Sequence, residues 1–368
     1  MEAQTDRASA PATVEELAQE LRRADEAGQT VRLRGAGTKL GWVADAGASV
    51  EVATTGLDEV LEHNPGDLTA VLSAGARLAR AQEVFAEEDQ MLALDPPGAE
   101  ATIGGVVATG DSGPLRSRYG GVRDLVVGMR VVLADGTVAK SGGQVIKNVA
   151  GYDLAKLFAG SFGTLGAITE VSVRLHPASP QTATAVGHAD DPDLIGRGAQ
   201  ALSHARLEQL GLDVRWAHGR GGVLSRSGGA TPLPQAEAAQ RVLDEAGLGT
   251  EIREDDNGLW EAQRERQRSP AGLVAKVSAL QTDLPELVRT AERHGASLVG
   301  RPALGLFWLR LDEGSPGELV SELRGRYVTA VLDRPERLEI EREAALEPGV
   351  ELLMRRVKER FDPRGTLV

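Results

Sequence analysis

PPGAEATIGGVVATGDSGPLRSRYGG, residues 96–121, places seven glycines in 26 positions, with Thr102, Thr109 and Ser112 as hydroxyl donors and Arg116 and Arg118 as cations. Its middle, ATIGGVVATG (101–110), has helical length but is interrupted by small and β-branched residues, so something must approach its backbone closely. A backbone without Cβ atoms can run against a flat or phosphorylated ligand. Two further glycine clusters flank it at separations of roughly 60 residues: RGAGTK (34–39) and GSFGTLGAIT (160–169). Residues 98–166 hold 15 of the chain's 44 glycines and seven bases against five acids, inside a chain whose net charge is −13. The backbone is therefore least encumbered where local charge suits an anion. Three such loops in one α/β segment imply convergence on one long ligand.

The first loop, Gly35-Ala-Gly-Thr-Lys-Leu-Gly41, follows a predicted strand, but its third glycine comes one place too late for G-x-G-x-x-G. The following WVADAGASVEV is strand-like, so no helix N-terminus is available for a dinucleotide pyrophosphate and a Rossmann site is disfavoured. The loop is not a P-loop, which requires G-x-x-x-x-G-K-[ST]. Two readings remain: a nest of backbone N–H groups from Gly35 to Lys39 around an anion, or a plain turn.

Helices and strands alternate around these loops. Thr13 and Glu16 form a capping box at the head of a helix that ends by Gly28. Val31–Leu33 and 50–54 read as strands, LDEVLEHN (57–64) as a helix, 69–75 as a strand and 77–88 as a helix. Residues 126–143 form two strands joined at Asp135-Gly136, a hairpin signal. GYDLAKLFAGSFG (151–163) reads as a helix, and 164–177 as a long strand stopped by Pro177. HPASPQ (176–181) changes composition and marks a boundary near 180. Beyond it, short strands alternate with acidic amphipathic helices, an antiparallel α+β pattern. GGVLSRSGGATPLP (221–234) is the most loop-like segment, and 350–361 closes the chain as a helix. The expected organisation is a disordered tail over 1–12, an α/β domain over 13–180 and a second domain over 181–368.

Composition narrows the function. With 368 residues the chain is long enough for about two cores. The absence of cysteine excludes disulfides, thiolate zinc sites, catalytic thiols and iron–sulfur clusters held by this chain. A reducing, cytoplasmic setting fits. The acidic balance argues against a nucleic-acid binder, and no apolar run reaches the roughly 18 residues of a membrane span. None of the six histidines (63, 176, 188, 204, 218, 294) pairs with another at metal-ligand spacing, so no metal site is expected. Trp260, Arg264 and Arg268, spaced i, i+4, i+8, would share a helix face suited to a carboxylate or a partner, or simply half-buried.

RGAGTK, PPGAEATIGGVVATGDSGP, KNVAGYDLAKLFAGSFGTLGAIT and the terminal FDPRG together resemble the vanillyl-alcohol-oxidase-type, or PCMH-type, FAD-binding oxidoreductases. Within them the similarity is greatest to the FAD-binding E subunits of bacterial glycolate oxidases. It covers roughly residues 8–180 strongly and the remainder loosely. The resemblance implies an α+β protein: a two-subdomain PCMH-type FAD-binding domain followed by a ferredoxin-like antiparallel cap domain. It also implies that Arg34, Gly35, Ala36, Gly37, Thr38 and Lys39 hold the FAD pyrophosphate. Pro97, Gly98, Thr102, Ile103, Gly104, Gly105, Thr109, Gly110, Ser112 and Gly113 would line its other side and the flavin ring, while Gly166, Ala167, Ile168 and Thr169 face adenine and ribose. Members with covalent flavin carry a histidine where this chain has Thr38, so the FAD is expected to be non-covalent. Lys147, Asn148 and Tyr152 would stand near the isoalloxazine as cation, hydrogen-bond donor and proton relay, respectively.

The function so implied is oxidation of a 2-hydroxy acid such as glycolate or D-lactate, with hydride passing to flavin N5 and electrons leaving through a partner iron–sulfur subunit beside a second FAD subunit. In such a complex the chain would be cytoplasmic, or peripheral at the inner membrane through its partners. The metal-ligating H-x-G-D-G-N-x-H segment of many related dehydrogenases is missing. Two other readings stay open: a catalytically silent FAD-binding or electron-relay subunit, and a self-sufficient alcohol or lactone oxidase.

Overall fold

Thr13 caps the first long helix as its spacing predicts: its hydroxyl accepts the Glu16 N–H at 3.1 Å, and the Glu16 carboxylate accepts the Thr13 N–H at 3.2 Å, at the head of α1 (Val14–Glu26). The structure, a computed structural model, describes residues 7–43, 46–143, 154–335, 338, 340–342 and 347–368. Strands β1 (Arg7–Ser9), β2 (Val31–Arg34) and β3 (Val50–Ala53) form a parallel sheet in the order β1-β3-β2. Residues 7–9 therefore belong to a sheet and not to a disordered tail, because Val50–Val52 offers them an open edge.

A second sheet holds the middle of this half. Its strands are β4 (Val60–Asn64), β5 (Thr69–Ser73), the hairpin β7 (Val126–Val132) and β8 (Val138–Gly142), and β9 (Ala167–Arg174); between β5 and β7 the chain runs through α2 (Leu78–Ala86), the two-residue β6 (Gln90–Met91), which lies outside this sheet, and α3 (Ile103–Thr109). The five-stranded order is β4-β5-β9-β7-β8, antiparallel throughout. The expected helix at 57–64 is instead a strand over Val60–Asn64. Fully buried β5 needs a partner on that edge, and a register shift between Val60 and Glu62 lets a sequence of helical character supply it. Of the helix expected at 151–163, the described part holds only one turn, Ala155–Phe158, after which Gly160 and Phe162 turn back with positive φ.

The other half is one eight-stranded antiparallel sheet. Its strands are β11 (Gln181–Ala189), β12 (Gly211–Ala217), β13 (Arg220–Gly229), β14 (Gly249–Arg253), β15 (Leu273–Ser278), β16 (Ser297–Arg301), β17 (Leu306–Leu311) and β18 (Val328–Val331), with β10 (His176–Pro177) pairing back to β6 before them. The order is β14-β11-β13-β12-β16-β17-β15-β18. The segment read as a loop, 221–234, is mostly β13, flanked by β11 and β12. Its glycines mark crowding and not turns: a Cβ on Gly221 would lie 2.3 Å from the Trp216 ring, and one on Gly228 2.3 Å from Leu210.

Strand alternation decides what each face carries. Leu273, Ala275 and Val277 of β15 and Phe307, Leu309 and Leu311 of β17 join the core under the helices Pro192–His204, Leu284–Arg293 and Pro316–Arg324. The opposite face carries Val274, Val299 and Trp308, which pack on Trp42 of the first half. Lys276 and Arg301 follow the same alternation and are delivered to this seam. The expected second domain ran to 368, but the closing helix Pro348–Phe361 returns to the first half. Phe361 packs edge-on against Phe158 at 5.4 Å, Lys358 donates to Thr164 O at 2.7 Å, and Leu367 bridges Val31.

Candidate functional site

Where β2 ends, the chain turns along the wall of a mostly apolar cleft of about 230 Å³ that opens to solvent. Residues 32–40 form one wall, Thr102, Gly104, Gly105, Ala108 and Thr109 a second, and Phe162–Thr164 with Gly166–Ile168 a third. The walls approach closely because glycine permits it. A Cβ on Gly35 would stand 2.1 Å from the Thr102 hydroxyl, and one on Gly104 would stand 2.7 Å from Ala74 Cβ. The second and third walls are stitched together by Gly160 N–H to Val107 O at 3.0 Å and Phe162 N–H to Ala108 O at 2.8 Å.

The donors are unequally spent. At the head of α3 the N–H groups of Ile103 and Gly104 go to Ala76 O and Ala74 O, at 2.9 and 2.7 Å, and that of Gly105 goes to the Thr102 hydroxyl at 3.3 Å. This helix end offers shape and no free amide. Among the described residues, the backbone N–H groups from Ala36 to Lys39 have no acceptor. Of the two readings of this loop, the geometry therefore fits the nest: successive amides without partners beside a cleft, the arrangement that takes up an anion.

The cleft's inner end meets a seam of buried charge. Lys39 and Asp111 pair at 3.3 Å, both almost wholly buried; desolvation lowers the lysine and raises the carboxyl. Arg301, with no exposed surface, donates to Ser112 O at 3.0 Å, Ser112 Oγ at 3.3 Å and Gln267 Oε1 at 3.0 Å, and stacks on Trp308 at 4.5 Å. Asp95 accepts the Leu115 N–H with both oxygens, at 3.1 and 3.3 Å. Burial raises Asp95 to about 7 and Asp213 to about 6, against a partial opposing pull from Arg301.

These two carboxyls make stability pH-dependent. Unfolded aspartate titrates near 3.9, so between about pH 4 and pH 7 the folded chain holds more protons than the unfolded one, and stability falls as pH rises through that window. Asp95→Asn removes one of the two groups while keeping an acceptor for Leu115. Its melting temperature is expected to match the parent near pH 4.5 and exceed it at pH 8. Parallel pH profiles for the two proteins would show that Asp95 is not the source.

The sequence-predicted residues divide between cleft and seam. Arg34 to Lys39, Thr102, Gly104, Gly105, Thr109, Gly166, Ala167 and Ile168 line the cleft. Ile103 points into the core, and Thr169 is buried with its hydroxyl on Arg130 O at 3.1 Å. Gly98 lies at the joint between the halves, its N–H 3.4 Å from Glu265 Oε1, and next to it Pro97 is buried. Gly110 is the left-handed cap of α3, Ser112 belongs to the seam, and Gly113 packs against Asp95, whose carbonyl a Cβ would meet at 1.8 Å. Lys147, Asn148 and Tyr152 lie outside the described residues. Lining residues to which the sequence reading gave no role include Leu33, Leu40, Val43, Thr54, Ala108 and Val368, and also Phe162, Gly163 and Thr164, which lie inside the third glycine cluster that it singled out. Trp260 and Arg264 share a helix, Asn257–Glu265, but Arg268 lies beyond its end. Trp260 is buried with its N–H on Thr184 Oγ1 at 2.8 Å. Among the described residues no group of three His, Asp or Glu could hold a metal ion, and no helix is long and apolar enough to cross a membrane.

Residues 6–142 match the family model of an FAD binding domain. The chain is 42% identical over 120 residues to glycolate oxidase subunit GlcE of Escherichia coli, covering 32% of this chain and 34% of that protein. It is 36% identical over 170 residues to a D-lactate dehydrogenase of Archaeoglobus fulgidus (45% and 38%), and 34% identical over 175 residues to glycolate oxidase subunit GlcD of Bacillus subtilis (47% and 37%). The matches thus span 34 to 38% of the length of these relatives. In fold the chain is similar to an alkyldihydroxyacetonephosphate synthase, with a TM-score of 0.71 at 16% identity, covering 98% of this chain and 75% of that one. The cleft and its loop of amides lie within and beside residues 6–142, the segment that matches an FAD binding domain, and glycolate oxidase subunits and D-lactate dehydrogenases are among the proteins to which this part of the chain is similar.

Proposed function

We infer that the chain is an FAD-linked oxidoreductase acting on a short 2-hydroxy acid, glycolate or D-lactate, within an assembly that includes a second flavin subunit and an iron–sulfur subunit. The observation that carries this reading is the row of amides from Ala36 to Lys39, without acceptors among the described residues, on a cleft whose facing walls carry glycines. A pyrophosphate fits those donors, and the apolar walls at Leu33, Ala108 and Phe162 fit flat rings on either side of it. FAD, when bound, supplies a two-electron acceptor for a carbon that bears a hydroxyl.

The chain's own residues bind, orient and exclude water. Gly105 leaves room for the ligand, Gly166 lets the third wall pack closely on Phe158 and Val132, and Phe162 shields the cleft. Lys39 holds its charge on Asp111 and so presents its amide, not its ammonium, to the anion. Lys147, Asn148 and Tyr152 would serve the reacting end as cation, donor and proton relay. No cysteine is present to hold an iron–sulfur cluster, so electron exit through such a cluster requires another chain.

A second reading, a subunit that holds FAD while its partner oxidises the substrate, is favoured by the lack of any two histidines at ligand spacing. Anaerobic mixing of the purified, FAD-loaded chain with glycolate or D-lactate separates the two. Loss of the oxidised flavin band at about 450 nm is expected for the enzyme, and an unchanged band with either acid for the silent subunit. A chain that takes up no FAD overturns both.

A further inference from the structure

We propose that Arg268 and Asp333, both contributed by the second half of the chain, are positioning residues for the anion-binding amide of Lys39. The inference rests on the FAD reading of the cleft. Arg268 grips the Asp333 carboxylate with Nε at 2.8 Å and Nη2 at 3.1 Å, and the same Nη2 donates to the carbonyl oxygen of Thr38 at 3.0 Å. Asp333 is itself held: its carboxylate accepts the Ser269 N–H at 2.8 Å and the Trp42 indole N–H at 3.3 Å. The Arg268 guanidinium also lies over the Trp42 ring, 5.2 Å from its centre. The clasp thus touches the cofactor loop at one backbone atom, the Thr38 carbonyl oxygen, and is held elsewhere by Ser269 and Trp42.

Peptide geometry turns that contact into a directional device. The Thr38 carbonyl and the Lys39 N–H belong to one planar trans unit, so they point in opposite directions. With the carbonyl drawn toward Arg268, the N–H is turned to the other side of the chain; Lys39 lines the cleft, and its N–H has no acceptor among the described residues. A charged donor on the carbonyl also polarises the unit and strengthens its N–H as a donor. Arg268, which aims the cofactor loop, is therefore 230 positions away from it in the chain, and Asp333 is farther still.

The test uses the full chain and three ligands: FAD, ADP, which carries the pyrophosphate without the flavin ring, and riboflavin, which carries the ring without the pyrophosphate. Arg268→Met is expected to weaken FAD and ADP by the same factor, about tenfold or more, and to leave riboflavin unchanged. Arg268→Lys, which keeps the charge but lacks the fork, is expected to recover part of that loss. Asp333→Asn should fall between them. If Arg268→Met fails to fold, judged by its thermal melt, the same comparison is read from the lysine and asparagine variants. Equal weakening of all three ligands, or none of FAD, overturns the proposal while leaving the FAD reading intact; a parent chain that binds no FAD overturns the reading itself.

Discussion

Arg301→Met is expected to destabilise the chain by about 3–5 kcal/mol at pH 8, the range for removing one partner of a buried charge cluster. The methionine roughly conserves volume, so the loss is electrostatic. Ser112 O and Gln267 Oε1 lose their donor, and Asp213, Asp95 and Asp111 lose the cation that all three face. Without it the carboxyls titrate still higher, and a raised folded value means stability that declines as pH rises toward it. Near pH 5, Asp95 and Asp213, already at about 7 and about 6 with the cation in place, are protonated and need it less. The gap between variant and parent in urea midpoint is therefore expected to widen steadily from pH 5 to pH 8. A gap of the same size at both ends would assign the loss to packing on Trp308 and would falsify the electrostatic account. Flavin affinity is expected to fall along with stability, because Ser112 and Lys39–Asp111 adjoin the same seam.

What the sequence showed of the site was its glycine. The three loops were legible because close approach of backbone to ligand or backbone leaves a local mark, and Gly35, Gly104, Gly105 and Gly166 all stand on the cleft. The partners that fix those loops were not legible. Thr38 and Arg268, Lys39 and Asp111, Ser112 and Arg301 meet across 230, 72 and 189 positions, and no spacing rule connects residues brought together by a seam between sheets. The same limit explains two of the departures from the expected secondary structure. Residues 57–64 have helical character that an edge vacancy beside β5 overrides, and the glycines of 221–229 look like a loop until Trp216 and Leu210 are seen lying across them. In both cases the deciding neighbour is distant in sequence or shaped by a pairing that local propensity does not encode.

Glycine is also where the largest functional effect is expected, and the structure separates two positions that look alike in sequence. Gly104 is packed: a Cβ there meets Ala74 Cβ at 2.7 Å and Ala74 O at 2.9 Å, both on rigid backbone or its first carbon. Gly104→Val should therefore force α3 off β5 and destabilise the protein by about 1–3 kcal/mol or more, so any loss of flavin in it reports on the fold. Gly105 lines the cleft, and its only near neighbour is the Thr102 hydroxyl at 3.0 Å. Valine there sits in a helix at little cost relative to glycine, within about 0.5 kcal/mol, and its methyl groups occupy the ligand's space. Gly105→Val is expected to keep a near-parental melting temperature without ligand and to lose FAD affinity by at least about a hundredfold. Gly258→Val, at an exposed helical position with nothing within 4 Å of its Cβ, is the control expected to change neither. FAD affinity retained in Gly105→Val would place the cofactor elsewhere than this cleft. Affinity lost in step with the melting temperature would mean that residue 105 supports the helix and not the ligand.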